Sequence, residues 1–361
     1  MVTLKKINER INQSKWTKMY VTSACLQGIT IIILQGTIAY FNTAQVNKGL
    51  ESDAVASYDL SYEEELAIDL AVGRLKRIKW ENIAFIGFQC WFVGMSFDAT
   101  VYQNAAEVIA LAVMNLACAI FGALEVVDGK RWLKTLTEIK TKHSVPIITT
   151  PIQIAFYLEI ALSIVVGLYA IVFAYLSYAV VKEFGWVIYK KIGADIAIQR
   201  MYRTLQLFVL ALKIDIFIEF LVSVFYLIQF ALKDKFSSWF SYVFVIITIL
   251  MIPMLFFGRA AAASESPVKM VVFIAFQLAV VFQLVLIAKG AIKPGEYWYT
   301  WICFVVLGMI IAVVTAVLGG VCIRNFGKGL KPYIQRGAEK KEIQQAEIQK
   351  QSSGAWIIDE D

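Results

Sequence analysis

The sequence predicts an all-α fold: a polytopic transmembrane helix bundle of about eight spans. Of its 361 residues, 59% are hydrophobic and 17% are charged, whereas soluble domains usually carry about 25% charged residues. Several apolar runs exceed the roughly 20 residues that a helix needs to cross a bilayer. A transmembrane β-barrel would show alternating segments of about ten residues instead. Lipid is therefore the expected surroundings of most of the chain.

Eight apolar runs, separated by polar segments, define the predicted spans. The spans are 19–41, 80–101, 103–124, 151–181, 205–232, 239–258, 268–289 and 297–321. The first run is too long for a signal-peptide core and lacks a small-residue cleavage site, so we expect it to remain as a span. The chain thus divides into an N-terminal tail (1–18), a transmembrane bundle (19–323) and a C-terminal tail (324–361).

The segment between the first two spans is expected to contain a short extramembrane helix. Ser61 is followed three residues later by Glu64, a capping-box pattern that predicts a helix running to about Lys79. An acidic start and a basic end suit the dipole of this helix, which we expect to be solvated or interfacial. Residues 125–150 are predicted to be a charged loop, and Asp98 and Asn104 to mark a tight turn.

The distribution of basic residues bears on which side each terminus occupies. An even number of spans places both termini on the same side of the membrane. The tails and connections on that side contain more Lys and Arg residues than the connections on the opposite side. The positive-inside rule therefore predicts cytosolic termini. The basic run Arg74–Lys79 opposes this orientation, because it lies next to a span on the predicted lumenal side.

Ionisable residues occur inside the second to fifth predicted spans, where they are costly. This candidate polar cluster consists of Asp98, Glu107, Glu159, Lys213, Asp215 and Glu219. Asp215 and Glu219 share a helix face, on which two ionised carboxylates would repel each other. Lys213 needs a partner on another helix, for which Glu159 is a candidate. Two interpretations remain open: a buried pair that sets helix register, or a water-filled path that binds a proton, cation or polar solute.

Two further patterns predict contacts with lipid and between helices. Segment 182–204 mixes aromatic and basic residues around Gly193, which predicts two short amphipathic pieces at the cytosolic headgroups. Its candidate contacts to anionic lipid are Lys190, Lys191, Arg200 and Arg203. Simple capping of the bundle is the alternative. In the last span a four-residue ladder permits close helix packing; it consists of Gly308, Ala312, Ala316 and Gly320.

Several functional classes are disfavoured by the composition. His143 is the only histidine, and the five cysteines lack the CxxC spacing of metal or redox sites. The sequence contains no GxSG or HExxH motif. Its basic residues do not form a nucleic-acid-binding domain with interleaved aromatics. We therefore expect no enzyme, catalytic residue, cofactor, metal or nucleic-acid partner, and the lipid bilayer as the principal partner.

Three segments carry a resemblance to a known family. They are GWVIYKKIGADIAIQRMY with the LALKID that follows (185–215), FDATVYQN (97–104) and RNFGKGLKPY (324–333). These resemble the fungal family of uncharacterised Golgi-apparatus multi-pass membrane proteins. The resemblance implies a Golgi membrane location and brings no activity with it. After Lys213 and Asp215 the family has a more aromatic run, so Glu219 is a departure from its pattern.

Two functions follow as hypotheses. The first is a non-enzymatic Golgi membrane protein that organises or traffics partners through its cytosolic loop and tails. The alternative is a transporter or channel for protons, cations or small solutes, which would use the charged residues of spans two to five.

Overall fold

The computed structural model describes residues 4–50, 62–143, 147–192, 196–226, 239–291 and 299–328. In these ranges the regular structure is entirely helical. The helices are α1 (Leu4–Ile11), α2 (Lys15–Ala44), a π-helical turn (Gln45–Leu50), α3 (Tyr62–Tyr102), α4 (Ala105–His143), α5 (Thr150–Ile192), α6 (Ile196–Tyr226), α7 (Trp239–Ala263), α8 (Pro267–Ala291) and α9 (Tyr299–Asn325).

Seven of the described helices are long and apolar enough to cross a membrane: α2 to α5 and α7 to α9. The polytopic helical fold is thereby confirmed. The remaining long helix, α6, has 31 residues, which is enough to span a bilayer. It differs from the others in carrying Lys213, Asp215 and Glu219 within its apolar stretch. Its place as an eighth span stays a prediction.

The chain divides into two compact units. The first unit comprises Met1–Ile188 and Ala288–Phe304, and the second unit comprises Tyr189–Ile287 and Val305–Asp361. The first therefore holds α1 to α4 and most of α5, whereas the second holds α6, α7 and most of α8 and α9.

Short polar side chains start two helices of the first unit. The Ser14 hydroxyl accepts a hydrogen bond from Trp16 N at 3.2 Å and caps α2. At the start of α4 the Asn104 Oδ1 atom accepts a hydrogen bond from Ala106 N at 3.1 Å. Gln103 before it has a φ of 52°, which lets α3 and α4 meet in a tight turn. The predicted turn is confirmed, although Asp98 itself lies in α3.

The helices of the first unit are longer than a membrane requires. α3, α4 and α5 contain 41, 39 and 43 residues. At about 1.5 Å per residue each is about 60 Å long, roughly twice the thickness of the hydrocarbon core. Parts of these helices must therefore extend beyond the bilayer.

This length corrects two predictions. The extramembrane helix expected to end near Lys79 is not a separate element, because α3 continues from Tyr62 to Tyr102 without a break. The charged loop expected at 125–150 is largely helical, because α4 runs to His143. Polar residues interrupt the apolar pattern but not the helix. The capping residue Ser61 lies outside the described residues.

An apolar core holds these helix ends together. Its buried members are Val46, Leu50, Ile68, Ala71, Leu75, Ile78, Leu136, Ile139, Ile147 and Ile152. We call residues 45–50, 62–78, 129–143 and 147–152 the helical extension. A second core lies deeper along the same four helices and consists of Ile31, Ile38, Phe85, Cys118, Leu162 and Val166. Both cores are built from α2 or its π-helical end together with α3, α4 and α5, which makes the first unit a four-helix assembly.

Small residues allow close helix contacts in the second unit. A Cβ on Gly308 would lie 3.5 Å from Ile218 and Leu284, and Ala312 and Ala316 are buried, as the predicted ladder requires. Its last position needs correction, since a Cβ on Gly320 would meet nothing within 4 Å. The neighbouring Gly319 makes the contact instead, with Ile274 3.3 Å and Met270 3.4 Å from an added Cβ.

Candidate functional site

The most heavily charged buried site in the described chain is centred on Arg74 of α3. Its Nη1 and Nη2 atoms donate to Glu81 Oε1 at 2.7 Å and Oε2 at 3.2 Å. Its Nε atom donates to Asp128 Oδ2 of α4 at 2.7 Å. Arg74 and Glu81 are only 6% and 5% exposed. Such forked, charge-assisted contacts hold the planar guanidinium in one orientation.

Two more carboxylates surround this ion pair. Glu125 of α4 accepts a long hydrogen bond from Gln35 Nε2, at 3.5 Å from its Oε2 atom. Glu159 of α5 lies beside Asn42 and within electrostatic range of Glu125. An added Cβ on Gly129 would overlap the Glu159 Oε2 atom, so this glycine lets the carboxylate lie directly against α4. The boundary cluster is Arg74, Glu81, Glu125, Asp128 and Glu159 with Gln35 and Asn42.

Helix length gives the depth of the boundary cluster. The helical stretches from Glu81 to Tyr102 and from Ala105 to Glu125 are each about 30 Å long, which is one hydrocarbon thickness. The cluster therefore lies one hydrocarbon thickness from the α3–α4 turn. Because the predicted spans 80–101 and 103–124 meet at this turn, the turn is expected at one boundary of the bilayer and the cluster at the other. In the predicted orientation this is the lumenal boundary.

The second unit contains a different kind of polar site. Asp215, Glu219 and Ser223 recur at four-residue steps on one face of α6 and are at most 1% exposed. Thr315 Oγ1 of α9 donates to Asp215 Oδ2 at 2.5 Å. Gln277 Nε2 of α8 donates to Glu219 Oε1.

A third rung completes this row of contacts. Gln283 Nε2 of α8 lies 3.5 Å from Ser223 Oγ and 3.4 Å from Thr248 Oγ1 of α7. We call these three side chains of α6, with their four partners, the polar ladder. It ties α6 to α7, α8 and α9 through neutral donors, because hydroxyl and amide groups rather than cations meet the carboxylates.

Comparison with known proteins adds one relative. The chain is 25% identical over 350 residues to a UPF0658 Golgi apparatus membrane protein of Schizosaccharomyces pombe, covering 88% of this chain and 90% of the relative. The predicted resemblance to a fungal Golgi membrane protein is confirmed. No family model and no solved structure matches. Because the similarity spans nearly both chains, it concerns the whole membrane bundle and not one motif.

The six ionisable residues predicted as one cluster are distributed over both units. Asp98, Glu107 and Glu159 belong to the first unit, whereas Lys213, Asp215 and Glu219 belong to the second. Asp215 and Glu219 join the polar ladder. Lys213 and Asp98 are half-buried.

Two predicted members of the first unit, Glu107 and Glu159, do not lie together. Glu107 lies near Tyr20, at the beginning of α2, and Glu159 lies near Asn42, at its end. These two levels are about 33 Å apart along the helix axis. Glu159, the candidate partner for Lys213, lies beside Asn42 and Gly129.

The sequence does not predict most of the boundary cluster. The capping-box pattern places Arg74 at the basic end of a short solvated or interfacial helix, and the polar composition places Glu125 and Asp128 in a loop. The structure buries Arg74 and places all three residues in long helices. One signal was available. Arg74 and Glu81 are seven residues apart, so they lie on one face of a continuous helix.

The predicted headgroup contacts are described in part. Arg200 and Arg203 are exposed in the first turns of α6. The side chains of Lys190 and Lys191 lie outside the described residues. The two short amphipathic pieces expected around Gly193 are corrected: the flanking residues form the end of α5 and the start of α6, both long helices.

Proposed function

We propose that this chain is a non-enzymatic, multi-pass membrane protein of the Golgi apparatus that organises partner proteins or assists their traffic. The similarity to a Golgi membrane protein supports the location. The observation that carries the organising role is the polar ladder, in which Asp215 and Glu219 are fully buried and bonded to side chains of other helices.

The ladder argues for a rigid bundle rather than a water-filled path. Carboxylates that serve a hydrated path need surface in contact with water, whereas Asp215 and Glu219 are both 0% exposed. Hydrogen bonds between transmembrane helices fix their register. Three successive rungs along α6 therefore hold the second unit in one arrangement, which suits a protein that presents surfaces to partners.

Two surfaces are suited to presentation. The helical extension reaches beyond the bilayer on the predicted lumenal side and has its own apolar core. On the predicted cytosolic side, Arg200 and Arg203 are exposed at the start of α6. Exposed cations next to a membrane surface attract anionic lipid, so these two residues are proposed to contact headgroups there.

Transport of protons or cations is the second candidate. Its supporting observation is that Asp215 Oδ1 and Glu219 Oε2 accept no hydrogen bond from the described residues. Intramembrane carboxylates with spare acceptors are typical of proton and ion pathways. A transporter would move the ion through this pair.

Flux and folding measured on the same variants separate the two functions. The parent chain, Asp215→Asn and Glu219→Gln are reconstituted in vesicles, with Glu138→Gln as an exposed control, and proton and cation flux is compared with protein-free vesicles. The organising role predicts no flux above background and a reduced thermal stability of Asp215→Asn and Glu219→Gln. It also predicts specific neighbouring proteins in proximity labelling in the Golgi. Flux by the parent that Asp215→Asn abolishes while it remains folded would establish transport instead.

A further inference from the structure

The boundary cluster holds more negative than positive charge. Its carboxylates are Glu81, Glu125, Asp128 and Glu159. Arg74 is the cation among them, and Arg77 also acts on Glu81. These two guanidinium groups offset the charges of Glu81 and Asp128. Two cations can offset only two of the four carboxylate charges, and Arg74, which also acts electrostatically on Glu125 and Glu159, makes its hydrogen bonds to Glu81 and Asp128.

The unmatched carboxylates also present free oxygen atoms. Glu125 is 7% exposed, Glu159 3% and Gln35 1%. Glu125 Oε1, Glu159 Oε2 and Gln35 Oε1 receive no hydrogen bond from the described residues. Gln35 donates its amide group to Glu125, which directs its side chain into the cluster. A buried oxygen without a donor is costly. The three lie on side chains linked by the Gln35–Glu125 contact and by the electrostatic interaction between Glu125 and Glu159.

We propose that the boundary cluster binds one divalent cation through side-chain oxygens of Glu125, Glu159 and Gln35. Carboxylate and amide oxygens are the ligands that Ca²⁺ and Mg²⁺ take in proteins. A double positive charge neutralises the two carboxylates that the arginines leave unmatched. The three ligands lie on α4, α5 and α2, so the cation would fasten these helices where they leave the membrane.

The ligand set indicates a weak, partly hydrated site. In the described part of the chain, no group of three or more His, Cys, Asp or Glu side chains is arranged to hold a metal ion. The proposed site has two carboxylates and one amide oxygen, whereas Ca²⁺ takes about six to eight oxygen ligands. The remaining coordination positions would be filled by water. Sites with few charged ligands bind Ca²⁺ with a Kd of about 10⁻⁴–10⁻³ M.

Gly129 offers a way to disturb the site without changing its charge. Because an added Cβ would overlap Glu159 Oε2, Gly129→Ala must displace that carboxylate. The variant keeps every cluster residue and so differs from any Glu→Gln exchange. Glu138→Gln is the matched control on α4, since Glu138 is 64% exposed in its pair with Lys134.

The test follows binding to the full chain in detergent at fixed pH. After treatment with EDTA, thermal unfolding and calorimetry are recorded while CaCl₂ or MgCl₂ is added, with NaCl of equal ionic strength as reference. We expect a saturable rise of the unfolding temperature with a divalent salt. In Glu125→Gln, Glu159→Gln and Gly129→Ala the half-saturating concentration should increase about 10- to 100-fold, whereas Glu138→Gln should match the parent.

Two results would overturn the proposal: no difference between divalent salt and NaCl for the parent, or an unchanged response of the cluster variants. If the Glu→Gln variants do not fold, calorimetry on the parent and on Gly129→Ala decides. The outcome is independent of the organising role, because the assay measures neither partners nor flux.

Discussion

The two units place their buried carboxylates in different surroundings. In the first unit, Glu81 and Asp128 meet a guanidinium at 2.7 Å, at the predicted boundary of the bilayer. In the second unit, Asp215 and Glu219 of α6 meet a hydroxyl of α9 and an amide of α8, and the neighbouring α7 and α8 have 25 residues each. The unit with the longer helices therefore pairs its buried carboxylates with a cation, and the unit with the shorter helices pairs them with neutral donors.

The predicted depths of the two sites in the membrane would account for this difference. A complete ion pair at the bilayer centre requires two charges to lose their water, and the desolvation cost can exceed the attraction. At the boundary of the hydrocarbon that cost is smaller, so Arg74 can hold two carboxylates there. Within a span, neutral donors bind a carboxyl group without bringing in a second charge. The extra length of α3 to α5 is what gives the first unit such a boundary.

The largest expected effect concerns the helical extension. Lys134 lies about 44 Å along α4 from its start at Ala105, beyond one hydrocarbon thickness, and its side chain is 78% exposed. Lys134→Cys should react fully with a membrane-impermeant maleimide, and only from the lumenal side if the termini are cytosolic. Labelling of sealed and permeabilised Golgi vesicles measures this.

The parent chain is the control for labelling, since its five cysteines should remain unreactive in intact membranes. Protection of Lys134→Cys from both sides would place the extension in lipid and remove the structural contrast between the units. Reaction from the cytosolic side would leave the extension in water but reverse the orientation of the chain.

The second largest effect is expected for Arg74→Ala. Removing one partner of a buried ion pair takes away the guanidinium that bonds to both Glu81 and Asp128, and should cost about 3–5 kcal/mol in the free energy of unfolding. Lys134→Ala breaks an exposed pair and should cost at most about 1 kcal/mol. Unfolding in detergent compares the two. Equal losses would show that Arg74 is hydrated, and the boundary cluster would then resemble an ordinary surface network.

The sequence predicted the fold better than the sites for a physical reason. Apolar runs such as Val268–Lys289 show their spans directly, because length and hydropathy are local properties. Whether Arg74 is solvated or buried depends on α4, which brings Asp128 to it across the bundle. Part of the polar ladder could be predicted from the sequence. The shared face of Asp215 and Glu219 follows from helical periodicity, whereas Gln277 and Thr315 lie on other helices and are brought to them only by the tertiary fold.

A smaller effect is expected where two helices of the second unit approach closely. A Cβ on Gly258 would lie 2.7–3.0 Å from the ring of Phe273. An aromatic ring cannot move away from this contact as easily as the end of a flexible side chain could. Gly258→Ala should therefore destabilise the protein by about 1–3 kcal/mol. Gly320→Ala, whose Cβ has no neighbour within 4 Å, should be neutral or slightly stabilising, because alanine favours the helix. If thermal unfolding shows equal effects, α7 and α8 are packed less tightly than described.

The smallest effect tests one rung of the ladder. Thr315→Val keeps the shape of the side chain and removes its hydrogen bond to Asp215. Hydrogen bonds between transmembrane helices contribute about 0.6–1.7 kcal/mol, and a loss in that range is expected. Thr37→Val is the control, because the exposed Thr37 hydroxyl donates only to Ile33 O of its own helix in the described contacts.

A double-mutant cycle then assigns the loss to the pair. If Thr315 acts through Asp215, adding Asp215→Ala to Thr315→Val should cost less than Asp215→Ala alone, because the contact is already broken. Strictly additive losses would mean that Thr315 stabilises α9 through packing. The hydrogen bond from Thr315 to Asp215 would then contribute nothing to stability. The contrast between the units would rest on the bond from Gln277 to Glu219 alone.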